Sequence, residues 1–277
     1  MLLILQGMMA LGIVAAVGVV AIRRSILNHQ SRFAFEKLIY YVMLPCYVFH
    51  AFTGTNDPIS WQAALLCALC TFFGAVLMVG AGMSFYKAAR IPGQKLGRLA
   101  ALPENVMLAF PFITLVWGEA AIQYAACCLV GLMPLRLAFR YRGKASEMAL
   151  ASLAALLGLA VNLTGLELPL FFVDSSRYIG YIALPLMVFC VTIRIYAAKH
   201  SVRPSRRLMT LALLRAVLAP VVVLIVCALL RLPKEGAAVA VVMAAMPADS
   251  NYQNYAFTAL ATVLLLPFYA YVTPFIV

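Results

Sequence analysis

Two of the nine acidic residues in this 277-residue chain stand inside apolar stretches, beside prolines and carboxamides. Glu104 belongs to Leu102-Pro103-Glu104-Asn105, eight residues after which the run closes on Phe110-Pro111. Asp249 belongs to Met246-Pro247-Ala248-Asp249-Ser250-Asn251-Tyr252-Gln253-Asn254. A carboxyl group withdrawn from water can take up and release a proton or bind a metal cation, so Glu104 and Asp249 are the candidate ion-coupling residues. Asp249, Gln253 and Asn254 offer the hard oxygen that a Na⁺ site needs. Asn105, Ser250, Asn251, Gln253 and Asn254 offer the hydroxyl and amide groups that would hold a small carboxylate substrate. A second reading stands beside each carboxylate, in which it lies nearer the membrane surface; for Glu104 the partner would be a basic loop residue such as Arg98. Arg215 likewise reads either as a counter-charge to substrate or as an interfacial side chain that snorkels.

Enzyme chemistry is poorly served. No H-E-x-x-H, G-x-S-x-G or P-loop motif occurs. An intramembrane enzyme using Glu104 and Asp249 as paired carboxylates is the rival from another class, but the usual aspartyl signatures are missing. The seven cysteines all lie in apolar segments, and Cys67-x-x-Cys70 has no second ligand pair. They read as reduced core residues, and no cofactor beyond a coupling H⁺ or Na⁺ is expected.

The elements that must position these groups are transmembrane helices. The chain is 65% hydrophobic and 11% charged, against about half and about a quarter in ordinary globular proteins. Its apolar runs are continuous, unlike the alternating strands of a β-barrel, and reach the roughly twenty residues a bilayer demands. Ten candidate spans follow: Leu2–Ile22, Phe35–Phe52, Trp61–Tyr86, Leu99–Trp117, Ala120–Phe139, Met148–Leu166, Ser176–Tyr196, Leu208–Leu230, Ala237–Asn254 and Phe257–Val277. With this assignment, 18 of the 21 basic residues fall on one side, only Arg177, Arg231 and Lys234 falling opposite. The net charge of +12 is therefore a cytoplasmic-loop pattern rather than a nucleic-acid surface, and both termini are expected on the non-cytoplasmic side. Arg23 and Arg24 follow the first apolar run instead of preceding it, which is not the order of a cleaved signal peptide.

The halves resemble one another. Tyr41-Val42-Met43-Leu44-Pro45 aligns with Tyr181-Ile182-Ala183-Leu184-Pro185 at a displacement of 140, and Pro111 with Pro247 at 136. Five spans per copy turn the second copy upside down, so residues 1–140 and 141–277 form inverted repeats, the architecture of many secondary transporters. Pro45, Pro111, Pro185 and Pro247 are the expected helix breaks.

Arg23-Arg24-Ser25-Ile26-Leu27, Lys37 through Pro45, Pro103 to Pro111, and Gly158-Leu159-Ala160-Val161-Asn162-Leu163-Thr164-Gly165-Leu166 followed by Ile182 through Leu186 resemble motifs of the auxin efflux carrier family, which includes bacterial permeases. Glu104 departs from the asparagine usual there. Asp249-x-x-x-Gln253-Asn254 is also similar to a motif of the bile acid:sodium symporters. The resemblance implies an all-α membrane protein of ten helices in two inverted five-helix repeats, with broken helices 4 and 9 crossing. It further implies alternating-access transport of a small organic anion across the cell (inner) membrane, coupled to H⁺ or Na⁺. The lipid bilayer, the anion and a second copy in a homodimer are the expected partners, with no nucleic acid. A receptor on a transporter scaffold or a channel fits less well, since no signalling segment or filter motif is visible.

Overall fold

Backbone polar groups have no water to bond inside a bilayer, so a chain this apolar must satisfy them within helices. A computed structural model describes residues 2–55, 57–88, 102–103, 106–139, 142–198, 206–247 and 252–276. Among the described residues every regular element is helical. The first half contains α1 (Leu2–Arg23), α2 (His29–Leu38), α3 (Leu44–Thr53), α4 (Trp61–Ala88), α5 (Ala109–Trp117) and α6 (Ala120–Ala138). The second contains α7 (Arg142–Thr164), α8 (Leu170–Ala198), α9 (Arg206–Leu213), α10 (Ala219–Leu230), α11 (Lys234–Ala245) and α12 (Tyr252–Ile276). Five described stretches are long and apolar enough to cross a membrane: α1, Trp61–Phe85 within α4, α6, α8, and Leu208–Leu230 spanning α9 and α10.

Large apolar side chains cover the outside. Leu5, Met9, Ile13 and Val17 on α1, Val221, Ile225 and Leu229 on α10, and Leu260, Leu264 and Phe268 on α12 are all exposed. Four-residue spacing puts each set on one helix face. Apolar surface on this scale is lipid-facing, not water-facing.

Three helices end in the same Schellman geometry, which satisfies their last carbonyls with a left-handed residue. Ser25 (φ 59°) closes α1, Gly165 (φ 65°) closes α7 and Arg231 (φ 53°) closes α10. In each case the next N–H reaches back to Ala21, Val161 or Cys227.

Two π-helical turns, Ile39–Met43 and Leu214–Leu218, join α2 to α3 and α9 to α10. Each ends two residues before a proline, Pro45 or Pro220. Proline lacks the N–H and crowds the carbonyl four residues back; a widened turn relieves both. For Pro220 that carbonyl is Ala216 O, and the Tyr269 hydroxyl of α12 donates to it.

The helix breaks differ from the sequence expectation at two prolines. Pro111 is the third residue of α5, within the first turn, where a missing N–H is harmless; ahead of it the described residues Leu102, Pro103 and Val106–Leu108 are not helical. Span 4 is therefore helical only from Ala109 within its described part. Pro185 lies inside α8, which continues as α-helix through it. Pro45 follows the first π turn, and Pro247 follows directly on the extended Met246 that ends α11. Tyr252–Ile276 forms one helix, so the last span is not shortened.

α11 sits at the centre. Its sequence is small and apolar all round, and Gly236 through Met243 are buried, the condition of a helix with no lipid face. It packs on α4, α6, α10 and α12. Its broken end is thereby held in the interior.

Candidate functional site

An interrupted helix leaves carbonyl groups unpaired at the end of its first part. At α11 those groups are Ala244 O, Ala245 O and Met246 O. Arg215, on the second π turn, donates from Nη2 to Ala244 O at 2.7 Å and to Met246 O at 2.8 Å, and from Nε to Met246 O at 3.1 Å. Thr262 Oγ1 of α12 donates to Ala245 O at 2.7 Å. At the other interruption, Arg136 Nη2 of α6 donates to Pro103 O at 2.7 Å.

Pro103, Met243, Ala244, Arg215 and Thr71 line one narrow cavity. It has about 20 Å³ of room for water-sized spheres, enough for about one water. Both interruptions thus border the same small space. A larger cavity of about 390 Å³ lies between Asp57, Trp117, Gln123, Tyr124 and Glu235. Gln123 fixes its wall: Oε1 accepts from Ile59 N at 2.9 Å, while Nε2 donates to Thr55 Oγ1 at 2.7 Å and Asp57 O at 3.1 Å.

A second buried charge cluster joins the two halves. Arg194 of α8 donates to Glu36 Oε1 of α2 from Nη2 at 2.8 Å and from Nε at 3.1 Å. Arg32 Nε lies 3.4 Å from the same oxygen. Arg194 also stacks over the ring of Tyr255, 4.8 Å from its centroid, at the start of α12.

Of the sequence candidates, Glu104, Asn105, Asp249, Ser250 and Asn251 lie outside the described residues. Gln253 and Asn254 fall on the first turn of α12, their side chains also outside the description. The arginines are what sequence reasoning misplaced. Arg32, Arg136 and Arg194 counted among the basic residues of the connections, and Arg215 as a counter-charge or an interfacial side chain, yet the four are 6%, 3%, 5% and 1% exposed. The reason is helix length: α2 begins at His29, α6 runs to Ala138 and α8 to Ala198, carrying these residues into packed surfaces. Only Arg215, standing well inside an apolar run, gave a signal of this.

The cysteines are free thiols, six of them buried. Cys70 of α4 and Cys227 of α10 approach to 3.1 Å between sulfurs. His50 is buried with Nε2 3.6 Å from Glu119 Oε2.

Residues 151–260 match the family model described as membrane transport protein. That stretch runs from α7 into α12 and includes Arg194, Arg215 and the interruption at Pro247. No curated protein matches the chain. An apolar exterior, helices of membrane-crossing length and this match agree: the chain is a multi-pass membrane protein whose residues 151–260 are similar to a family of membrane transport proteins.

Proposed function

We propose that this protein is a secondary active transporter that moves a small organic anion across the cell (inner) membrane by alternating access, coupled to H⁺ or Na⁺. The observation that carries the reading is the meeting of two interrupted helices, Pro103 and Ala244 bordering one interior cavity with Arg215. In transporters of this kind the site lies where broken helices meet near the midplane. Glu104 and Asp249 take the coupling ion; Asn105, Ser250, Asn251, Gln253 and Asn254 ligate the anion or the ion. The +12 charge and its distribution support termini on the non-cytoplasmic side.

Packing supports the inverted repeat. α1 packs on α8 as α7 packs on α3, which are the same contact with the halves exchanged. α3 with α8 and α4 with α10 are each their own counterpart. The interruptions relate Pro103 to Pro247, a displacement of 144, better than Pro111 to Pro247.

Uptake of labelled organic anions into proteoliposomes tests the proposal. Asp249→Ala is expected to reduce uptake roughly ten- to hundredfold, the worth of about 1.5–3 kcal/mol of charged hydrogen bonding. Undiminished uptake would remove Asp249 from the mechanism, and release of a cleaved product in place of flux would favour the enzyme.

A further inference from the structure

Carriers with interrupted helices commonly coordinate a coupling Na⁺ with the unwound carbonyls and the carbonyl ends of half-helices. Here those ends are already occupied by the protein's own donors. Ala244 O and Met246 O accept from Arg215, and Ala245 O accepts from Thr262. Met246 O receives two guanidinium donors, as many as a carbonyl has lone pairs. Pro103 O, at the other interruption, accepts from Arg136. An arginine is a permanent charge with a fixed fork of donors, and it cannot leave as an ion can. A metal cation arriving here would have to displace four hydrogen bonds and sit beside the Arg215 guanidinium.

We propose that Arg215 is a resident cation: its guanidinium holds the carbonyl seat that a coupling Na⁺ would take, so the carrier binds no Na⁺ at the interruption of α11. The inference rests on the transport reading above and leaves a coupling Na⁺ no place on the carbonyls that end α11. Arg215 acts here as a positioning residue. It fixes the end of α11 and supplies the positive charge that would otherwise come and go with the ion.

The test uses the purified full chain, with radioactive Na⁺ as the probe and thermal melting in NaCl against choline chloride at equal ionic strength. Wild type is expected to show no saturable Na⁺ binding and the same melting temperature in both salts. Arg215→Met should melt lower in choline chloride, regain most of the loss in NaCl, and acquire saturable Na⁺ binding. Arg215→Lys, which keeps a positive charge in the seat, should stay indifferent to Na⁺. Saturable Na⁺ binding by wild type overturns the proposal, whether or not any variant folds. It is also overturned if Arg215→Met melts equally low in both salts, the behaviour of a merely structural clamp. Failure to carry any anion into proteoliposomes is a separate result: it would remove the transport reading and leave the Na⁺ measurement standing.

Discussion

Replacing Arg194 with methionine is expected to destabilise the folded chain by about 3–5 kcal/mol, the cost of breaking a buried ion pair from one side. Glu36 is the reason. Its side chain is 12% exposed, and Arg194 supplies two of the donors to its Oε1. Arg32, at 3.4 Å, holds the same oxygen more loosely. The loss also takes away the cation–π contact with Tyr255, worth about 0.5–2 kcal/mol when desolvated. Glu36→Leu alone should be damaging for the complementary reason, since Arg194 and Arg32 lose their shared carboxylate. The double variant Glu36→Leu, Arg194→Met should cost clearly less than the two singles added, because Glu36 and Arg194 are then removed together and only the looser contact of Arg32 with the carboxylate is lost besides. Unfolding titrations of the four proteins in one detergent measure this. Additive losses would mean that the pair is not a unit.

Gly131→Val should be comparably severe, about 3 kcal/mol or more, at the upper end of overpacking costs. A Cβ at Gly131 on α6 would overlap the Ala68 carbonyl oxygen and the Thr71 hydroxyl of α4, and would come within 2.8 Å of Ala68 C. Backbone atoms cannot step aside. Thr71 Oγ1 is committed as well, to Cys67 O at 3.0 Å on its own helix and to Cys128 O at 3.3 Å across the interface. The helices would have to separate, and α4 and α6 both support α11. Gly80→Ala on α4 is the control. A Cβ there meets nothing within 4 Å, so the exchange should gain up to about 1 kcal/mol from helix propensity. Equal melting of the Gly131 and Gly80 variants would refute the close approach.

Much of the scaffold could be read from residue types alone. Apolar runs over Leu2–Ile22, Trp61–Tyr86 and Ala120–Phe139 fall within a few residues of α1, α4 and α6. Length and continuity decide those spans, and neither depends on tertiary structure. The interruption at Pro247 was visible because a proline and a polar run coincide there. The one at Pro103, ahead of α5, was assigned to Pro111 instead, because a proline within an apolar run reads as a break although in a first helical turn it is harmless. The π turns left no periodicity to find; only the following prolines mark them. Arg136 and Arg194 were hidden for a different reason. A basic residue at the end of an apolar span looks the same whether it faces a loop or a packed neighbour, and only helix length and packing separate the two. The carboxylates and amides proposed for the site rest on their sequence context and on the arginine-held interruptions that flank them.

Cross-linking tests the central claim most directly. Pro103→Cys and Ala244→Cys, combined in a chain whose seven native cysteines are replaced, would be treated in membranes with a short reducible thiol–thiol bridging reagent. An intramolecular cross-link is expected, absent when Ala244→Cys is replaced by Gly12→Cys on the exposed face of α1. The link should arrest anion flux, and reduction should restore it. No link, or full flux through a fully linked protein, would contradict the view that two interrupted helices meet at the transport site.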